Sequence, residues 1–398
     1  MKRFAVMSIT LILVGALVFA GSLWFYFSSN KKENDKKSAS SQKISETAAP
    51  TEEKKKSQMP DELKDSGIFS DYYEQAYQRM LSMTLEEKIG QLLLAESPAE
   101  GAENLVLQYN IGGIVFTEQN FDYIEKKDAQ SLVSGYEASS KTPLILAVTE
   151  IGGENCAVSS HYRLAQAPFA SPRELFANGG LDEISDTETQ KAAFLKEFNI
   201  NTNLAPVCDI SVNEGDKGYA QSLGQDAATT KQFVSNVTRV SQNSGVSVAL
   251  KNFPGYKDNG DAAATDKRDY IELEKNELSV FKGGIEAGAH FVMLSNTVVT
   301  SIDGENTATL SPKVIYKLKN DLGFTGVTLS AKLEDSSENG QNVAVSAIKA
   351  GCDMVYVTDA QKAFKALLDA VNDNSLSQDK IERACFKVLS CKFAKGLM

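Results

Sequence analysis

From Tyr72 onward the chain alternates short apolar runs with amphipathic stretches, and nothing else in it constrains the fold as much. The apolar runs are Ile111–Phe116, Pro143–Val148, Thr202–Val207, Ser247–Phe253, His290–Asn296, Gly326–Ser330 and Asp353–Val357. They are short and mostly bounded by Gly, Pro, Asn or Asp, which predicts strands. Between them Lys191–Phe198, Thr229–Ser244, Glu272–Ala287, Pro312–Leu322, Asn342–Ala350 and Leu376–Ala394 carry helical patterns. The last sets Ile381, Ala384, Cys385, Val388 and Leu389 on one face, with Ser377 as its expected N-cap. Such alternation predicts an α/β domain, a mostly parallel sheet covered by helices. Roughly 330 residues suit a closed (β/α)8 TIM-like barrel better than a smaller doubly wound sheet. The doubly wound alternative normally shows a GxGxxG turn after its first strand, and none is present. A single barrel over 61–398 is therefore expected, with its chemistry at the C-terminal strand ends.

The N-terminus has a different character. Lys2 and Arg3 precede an apolar run from Phe4 to Phe27, interrupted only by Ser8, Thr10 and Ser22. As a helix it spans about 36 Å, enough to cross a bilayer. Trp24 and Tyr26 fall at the far end, where aromatic side chains favour the interface. Residues 1–27 are read as a single-pass transmembrane anchor. Cleavage after Ala20, as in a signal peptide, is the alternative. Lys31, Lys32, Lys36 and Lys37 blur the charge rule for orientation. A long following domain crosses largely regardless of charge, so the barrel is placed outside the cell membrane. Residues 28–60 are rich in Ser, Lys, Glu, Thr and Ala, too polar to offset their ordering entropy, and read as a disordered linker.

Forty-one basic and 52 acidic side chains give a net charge of −11, which argues against a nucleic-acid partner. With two histidines, no CxxC pair and no Cys/His cluster, neither a zinc site nor any other metal or cofactor is expected. Cys156 and Cys208 follow consecutive predicted strands, which leaves a disulfide between them open.

Specific wording sharpens the pattern. The segments are Met83–Leu92 (MTLEEKIGQL), Ile111–Phe116 (IGGIVF), Asn203–Ile210 (NLAPVCDI), Lys251–Tyr256 (KNFPGY), Gly323–Val327 (GFTGV) and Ala350–Val355 (AGCDMV). Together, in order and spacing, they resemble the barrel domain of glycoside hydrolase family 3 from about 75 to 394. The branch they are most similar to is the single-domain β-N-acetylglucosaminidases that act on peptidoglycan sugars. On that resemblance Ile111–Phe116 is the first barrel strand, Asn203–Ile210 the third-strand segment and Ser330 the end of the sixth.

The resemblance also implies a damaged site. Retaining glycosidases need a carboxylate nucleophile and a proton donor flanking the scissile bond. The family's nucleophile is an Asp in (S/T)-D-x-L, and here Ser330-Ala331-Lys332-Leu333 puts Ala331 there. Its acid/base comes from an Asp-Ser-His after KHFPGHG. Here that loop holds Asp258 and Asp261 but no histidine. The sugar-binding Asp, Arg and two His of the family correspond to Thr149, Gln221, Asn252 and Tyr256, and only Lys251 persists. Loss at the chemistry with retention of the scaffold implies a pseudoenzyme that binds cell-wall glycan or an envelope protein. Two alternatives remain open. One is a working glycosidase using the sugar's own N-acetyl oxygen, with Asp258 or Asp261 as acid. The other is unrelated barrel chemistry.

Overall fold

The computed structural model describes residues 58–98, 102–216, 218–255, 264–334, 337–338 and 341–398. The apolar run 4–27, the linker up to residue 57, and Tyr256, Asp258 and Asp261 lie outside the described residues. Among the described residues no helix is long and apolar enough to cross a membrane.

Eight strands close into a barrel: β1 Leu93–Glu96, β2 Gly113–Phe116, β3 Ile145–Val148, β4 Thr202–Asn203, β5 Ser247–Phe253, β6 Phe291–Leu294, β7 Val327–Leu333 and β8 Met354–Val357. Every neighbouring pair is parallel and follows chain order, and β8 returns to β1 with Leu93 opposite Val355. The strands are apolar on both faces because one faces the barrel interior and the other the surrounding helices. This is the expected α/β barrel. Met59 already packs into its core.

The strand count needs correction. Seven strands were predicted, and the missing one is β1. It follows the helix Leu85–Gln91 through Leu92 alone, so the apolar run carries no Gly or Pro to mark the change. The segment predicted as the first strand is thus β2, Thr202–Asn203 is the fourth, and Ala331 stands on the seventh. The helix itself begins as its sequence dictates: Thr84 Oγ1 accepts from Glu87 N (3.2 Å), and Glu87 Oε2 accepts from Thr84 N (3.2 Å). In β2 a side chain on Gly113 would place a carbon 2.4 Å from the Ile145 carbonyl oxygen, so close strand approach demands glycine there.

Other boundaries move for local reasons. β4 stops at Asn203, because Pro206 has no N–H to offer the ladder and only Val207 bridges back, to Lys251. β7 runs on to Leu333 past a register shift against β8 between Leu329 and Lys332. The helical stretch Pro172–Lys196 is far longer than predicted. Gly179 and Gly180 break its helical geometry, so its apolar stripe restarts in a new phase. Ser377 occupies the N-cap position of Gln378–Ala394, yet its side chain makes no capping hydrogen bond. All five cysteines are free and buried, so no bridge joins Cys156 to Cys208. The Cys156 thiol points to the Gly153 carbonyl (3.5 Å) and the Cys208 thiol to that of Pro206 (3.9 Å).

Two polar clusters, the first partly buried and the second nearly inaccessible, tie the layers together. At the N-terminal end of the barrel, Lys395 Nζ donates to Asn201 O (2.7 Å) and to Ser247 Oγ, which lies 2.7 Å from His290 Nδ1. Burial, with the nearby Lys395 charge, pushes the His290 imidazole down to a pKa of about 3. Past the C-terminal end of β5, against Gly255, Arg268 pairs with Asp266 (2.5 Å) and with Glu277, all three side chains being nearly inaccessible.

Each cluster makes a prediction. The unfolded chain binds a proton at position 290 near pH 6.5 and the folded chain only near 3, so stability is lost as pH falls through that window. Urea midpoints measured from pH 7 to pH 4 should fall for the wild type and fall less steeply for His290→Gln. Arg268→Ala strands two buried carboxylates and should cost about 3–5 kcal/mol in urea unfolding at pH 7.

Candidate functional site

The C-terminal ends of parallel strands converge on one mouth, so each strand delivers its last side chain to a common space. From β3 come Thr149 and Glu150. Thr149 is half-buried and lines a pocket of about 220 Å³ with Thr117, Asn155, Cys156 and Tyr356. Glu150 turns away from it. Its carboxylate accepts from Val158 N (2.8 Å) and from the hydroxyl of Ser159, while Asn203 brackets its backbone with two 2.9 Å hydrogen bonds. Glu150 therefore holds the loop after β3 in place and is spent on that task. Gly152, at φ 123°, lets the loop pass close to Ala170, since a side-chain carbon there would lie 2.2 Å from the Ala170 carbonyl oxygen.

Gln221 reaches the same pocket indirectly, donating to Asn155 Oδ1 (3.0 Å). The loop that carries it is organised by Arg173, whose guanidinium stacks 3.6 Å from the Tyr219 ring centre. Arg173 also donates to Ser211 O (2.9 Å), Tyr219 O (3.1 Å) and Ser222 Oγ (3.2 Å).

Lys251 and Asn252 rise from β5. Asn252 adopts φ 77°, a left-handed conformation that asparagine tolerates, and donates to Asp209 Oδ2 (2.5 Å). Burial lowers the Lys251 pKa, and the Asp209 carboxylate opposes that shift. Lys251, the sugar-binding residue that persists, thus sits in the field of Asp209. Tyr256, Asp258 and Asp261 follow this strand outside the described residues.

On β7, Ala331 is buried and its N–H donates to Thr309 Oγ1 (3.0 Å). Its neighbour Ser330 accepts from Tyr356 N (2.9 Å), which links the alanine to the strand carrying the pocket tyrosine. Ala331 thus presents a methyl group at the position that the resemblance matches to the family's nucleophile. Lys332, next in line, bridges instead to Glu96 at the end of β1 (2.6 Å), and Glu96 also accepts from Tyr356 Oη (2.8 Å). Burial and the Glu96 charge raise the Tyr356 pKa. The phenol is therefore held protonated, as a donor.

The structure thus groups Thr149 and Gln221 around Asn155, Lys251 and Asn252 around Asp209, and sets Ala331 beside Tyr356. Sequence reasoning passed over Glu96, Lys332, Tyr356, Asp209 and Arg173. Charges ending otherwise apolar runs, as in Leu93–Glu96 and Val327–Lys332, were the signal available for the first two. Among the described residues no three His, Cys, Asp or Glu side chains are placed to hold a metal ion.

Known proteins resemble the chain in sequence and in fold. A beta-hexosaminidase of Stenotrophomonas maltophilia is 27% identical over 282 residues, covering 67% of this chain and 82% of that protein. An uncharacterized secreted glycosyl hydrolase of Arthroderma benhamiae is 25% identical over 320 residues, covering 73% and 87%. A glycoside hydrolase family 3 β-N-acetylglucosaminidase from Paenibacillus superposes with a TM-score of 0.72 at 24% identity, over 79% of this chain and 63% of that one. A β-N-acetylhexosaminidase from Beutenbergia cavernae gives 0.68 at 23% identity, over 79% and 99%. Residues 84–391 match the glycosyl hydrolase family 3 N terminal domain, and the chain belongs to that family.

Proposed function

We propose that this barrel binds a cell-wall glycan without cleaving it, held outside the membrane by the apolar run at its N-terminus. The observation that carries this is Ala331. Glycosyl transfer through an enzyme intermediate needs an oxygen nucleophile on the face opposite the leaving group, and a methyl group supplies none. The mouth is nevertheless a polar concavity. Thr149, Asn155 and Tyr356 line one pocket, and a second of about 380 Å³ opens beside it with Glu96, Asn120, Asp122 and Tyr136. Donors and acceptors on fixed loops suit sugar hydroxyls, and apolar walls suit ring faces. The carboxylates at the strand ends are engaged: Glu150 with the 158–159 turn, Glu96 with Lys332 and Tyr356, Asp209 with Asn252.

The relatives named beta-hexosaminidase support a sugar ligand carrying an N-acetyl group. The run Phe4–Phe27 supports a membrane location, since its length and apolarity suit a bilayer span.

The test is an assay of the full-length protein with a chromogenic N-acetyl-β-glucosaminide and with muropeptides. The expected result is no turnover, together with co-sedimentation of the protein on insoluble peptidoglycan. Turnover that disappears in the Asp258→Asn/Asp261→Asn double variant would overturn the reading and place the chemistry on the loop after β5. Ala331→Asp alone should restore no activity, because the sugar-holding positions Thr149, Gln221 and Asn252 remain changed.

A further inference from the structure

Two tyrosines stand out of the mouth into solvent. Tyr123, on the loop after β2, is 81% exposed, and Tyr162, on the loop after β3, is 76% exposed. Rings left in water on mobile side chains would be unremarkable, but these two are built in. One guanidinium ties the segments together: Arg163 donates from Nη1 to the Tyr123 carbonyl oxygen (2.6 Å) and from Nε to Tyr162 Oη (3.0 Å). Its charge lies 5.6 Å from the Tyr162 ring centre and is balanced by Glu125 at 3.2 Å. Tyr123 is held at φ 58°, a conformation an aromatic residue rarely adopts. Observed strain on an exposed aromatic residue beside a pocket motivates a functional assignment.

We infer that Tyr123 and Tyr162 form a platform on which the second and later sugars of a β-linked oligosaccharide rest. This rests on the glycan reading above and names the length of ligand the site takes. The pocket of about 380 Å³ is lined by Gln119, Asn120 and Asp122, from the same loop as Tyr123. A pyranose presents an apolar C–H face and a polar rim. Tyrosine offers the matching apolar face and a hydroxyl, and the neighbouring amides and carboxylate meet the rim. Asp122 and Asp128 in this pocket favour a neutral sugar over a polyanion, Glu96 being already paired with Lys332. The tyrosine rings are exposed, so ligand gains contact without rearranging the core.

The experiment is calorimetric titration of the full-length protein, in detergent, with N-acetylglucosamine and its β-1,4-linked oligomers of two to five units. Affinity should rise about tenfold from monomer to tetramer, the scale of one added ring stack. Tyr123→Asn/Tyr162→Ala should abolish that rise and keep monomer binding, asparagine being chosen because it tolerates the left-handed backbone. Tyr123→Phe/Tyr162→Phe should retain the rise. Both variants should keep the wild-type thermal midpoint, which confirms that they fold. A rise that survives in the first variant, or wild-type affinity independent of length, overturns the platform alone. Absence of binding at every length overturns the glycan reading and the platform with it.

Discussion

Everything at the mouth depends on closure of the barrel between its first and last strands. The hydrogen-bonded seam of β1 and β8, with Val355 N donating to Leu92 O (2.8 Å), removes the two free edges that an open sheet would leave. Closure is reinforced from outside by the C-terminal helix. Lys392 Nζ donates to Gln91 Oε1 (2.7 Å), and Lys88 pairs with Glu382 (2.8 Å), so both ends of the domain hold each other. Lys392 is fully buried, and burial lowers its pKa to about 7. An amine is tolerated there because the Gln91 oxygen receives it, and Gln91 is itself anchored by donating to the Asn110 carbonyl (2.6 Å). Without the seam, Glu96 would not stand beside Tyr356 and Lys332, and the mouth would have no wall on that side.

The site shows how one scaffold separates shape from chemistry. Positions that shape the mouth are occupied by residues that can do nothing else: glycines where backbones approach, Asn203 clasping the backbone of Glu150, Arg173 wedged into the 211–222 loop. Positions that the resemblance matches to catalytic and sugar-binding residues hold Ala331, Thr149, Gln221 and Asn252. Fold and activity are set by different residues, and a barrel keeps its form when the second set changes. The ion pair of Lys332 with Glu96 fits this view. It spans three strands at the rim, next to Ala331, and uses charges whose mutual attraction needs no substrate.

Much of the architecture was legible in the chain. The strand–helix alternation arises because a parallel strand covered on both faces must be apolar on both, and the seven runs read from it all overlap barrel strands. The capping box at Thr84–Glu87 is local chemistry between residues three apart, so it too was readable. β1 was not, because Leu92–Ala95 fits a helix continuation and a buried strand equally well. What decides between them is the pairing of Leu93 with Val355, some 260 residues away. The same holds for Pro172–Lys196, where a Gly179–Gly180 break hid the first turns of helix from any single-period reading.

By itself the sequence determined that the chain would build a parallel barrel and that the position after Ser330 carries a methyl group in place of a carboxylate. Those properties rest on side-chain type and on short-range periodicity. Only the tertiary structure decided which polar groups meet: Glu96 with Lys332 and Tyr356, Gln221 with Asn155, Asn252 with Asp209, and Arg163 with the Tyr123 carbonyl. These partners come from different loops or strands, most of them far apart along the chain. A hydrogen bond or ion pair is set by distances of about 3 Å that closure of the barrel alone imposes.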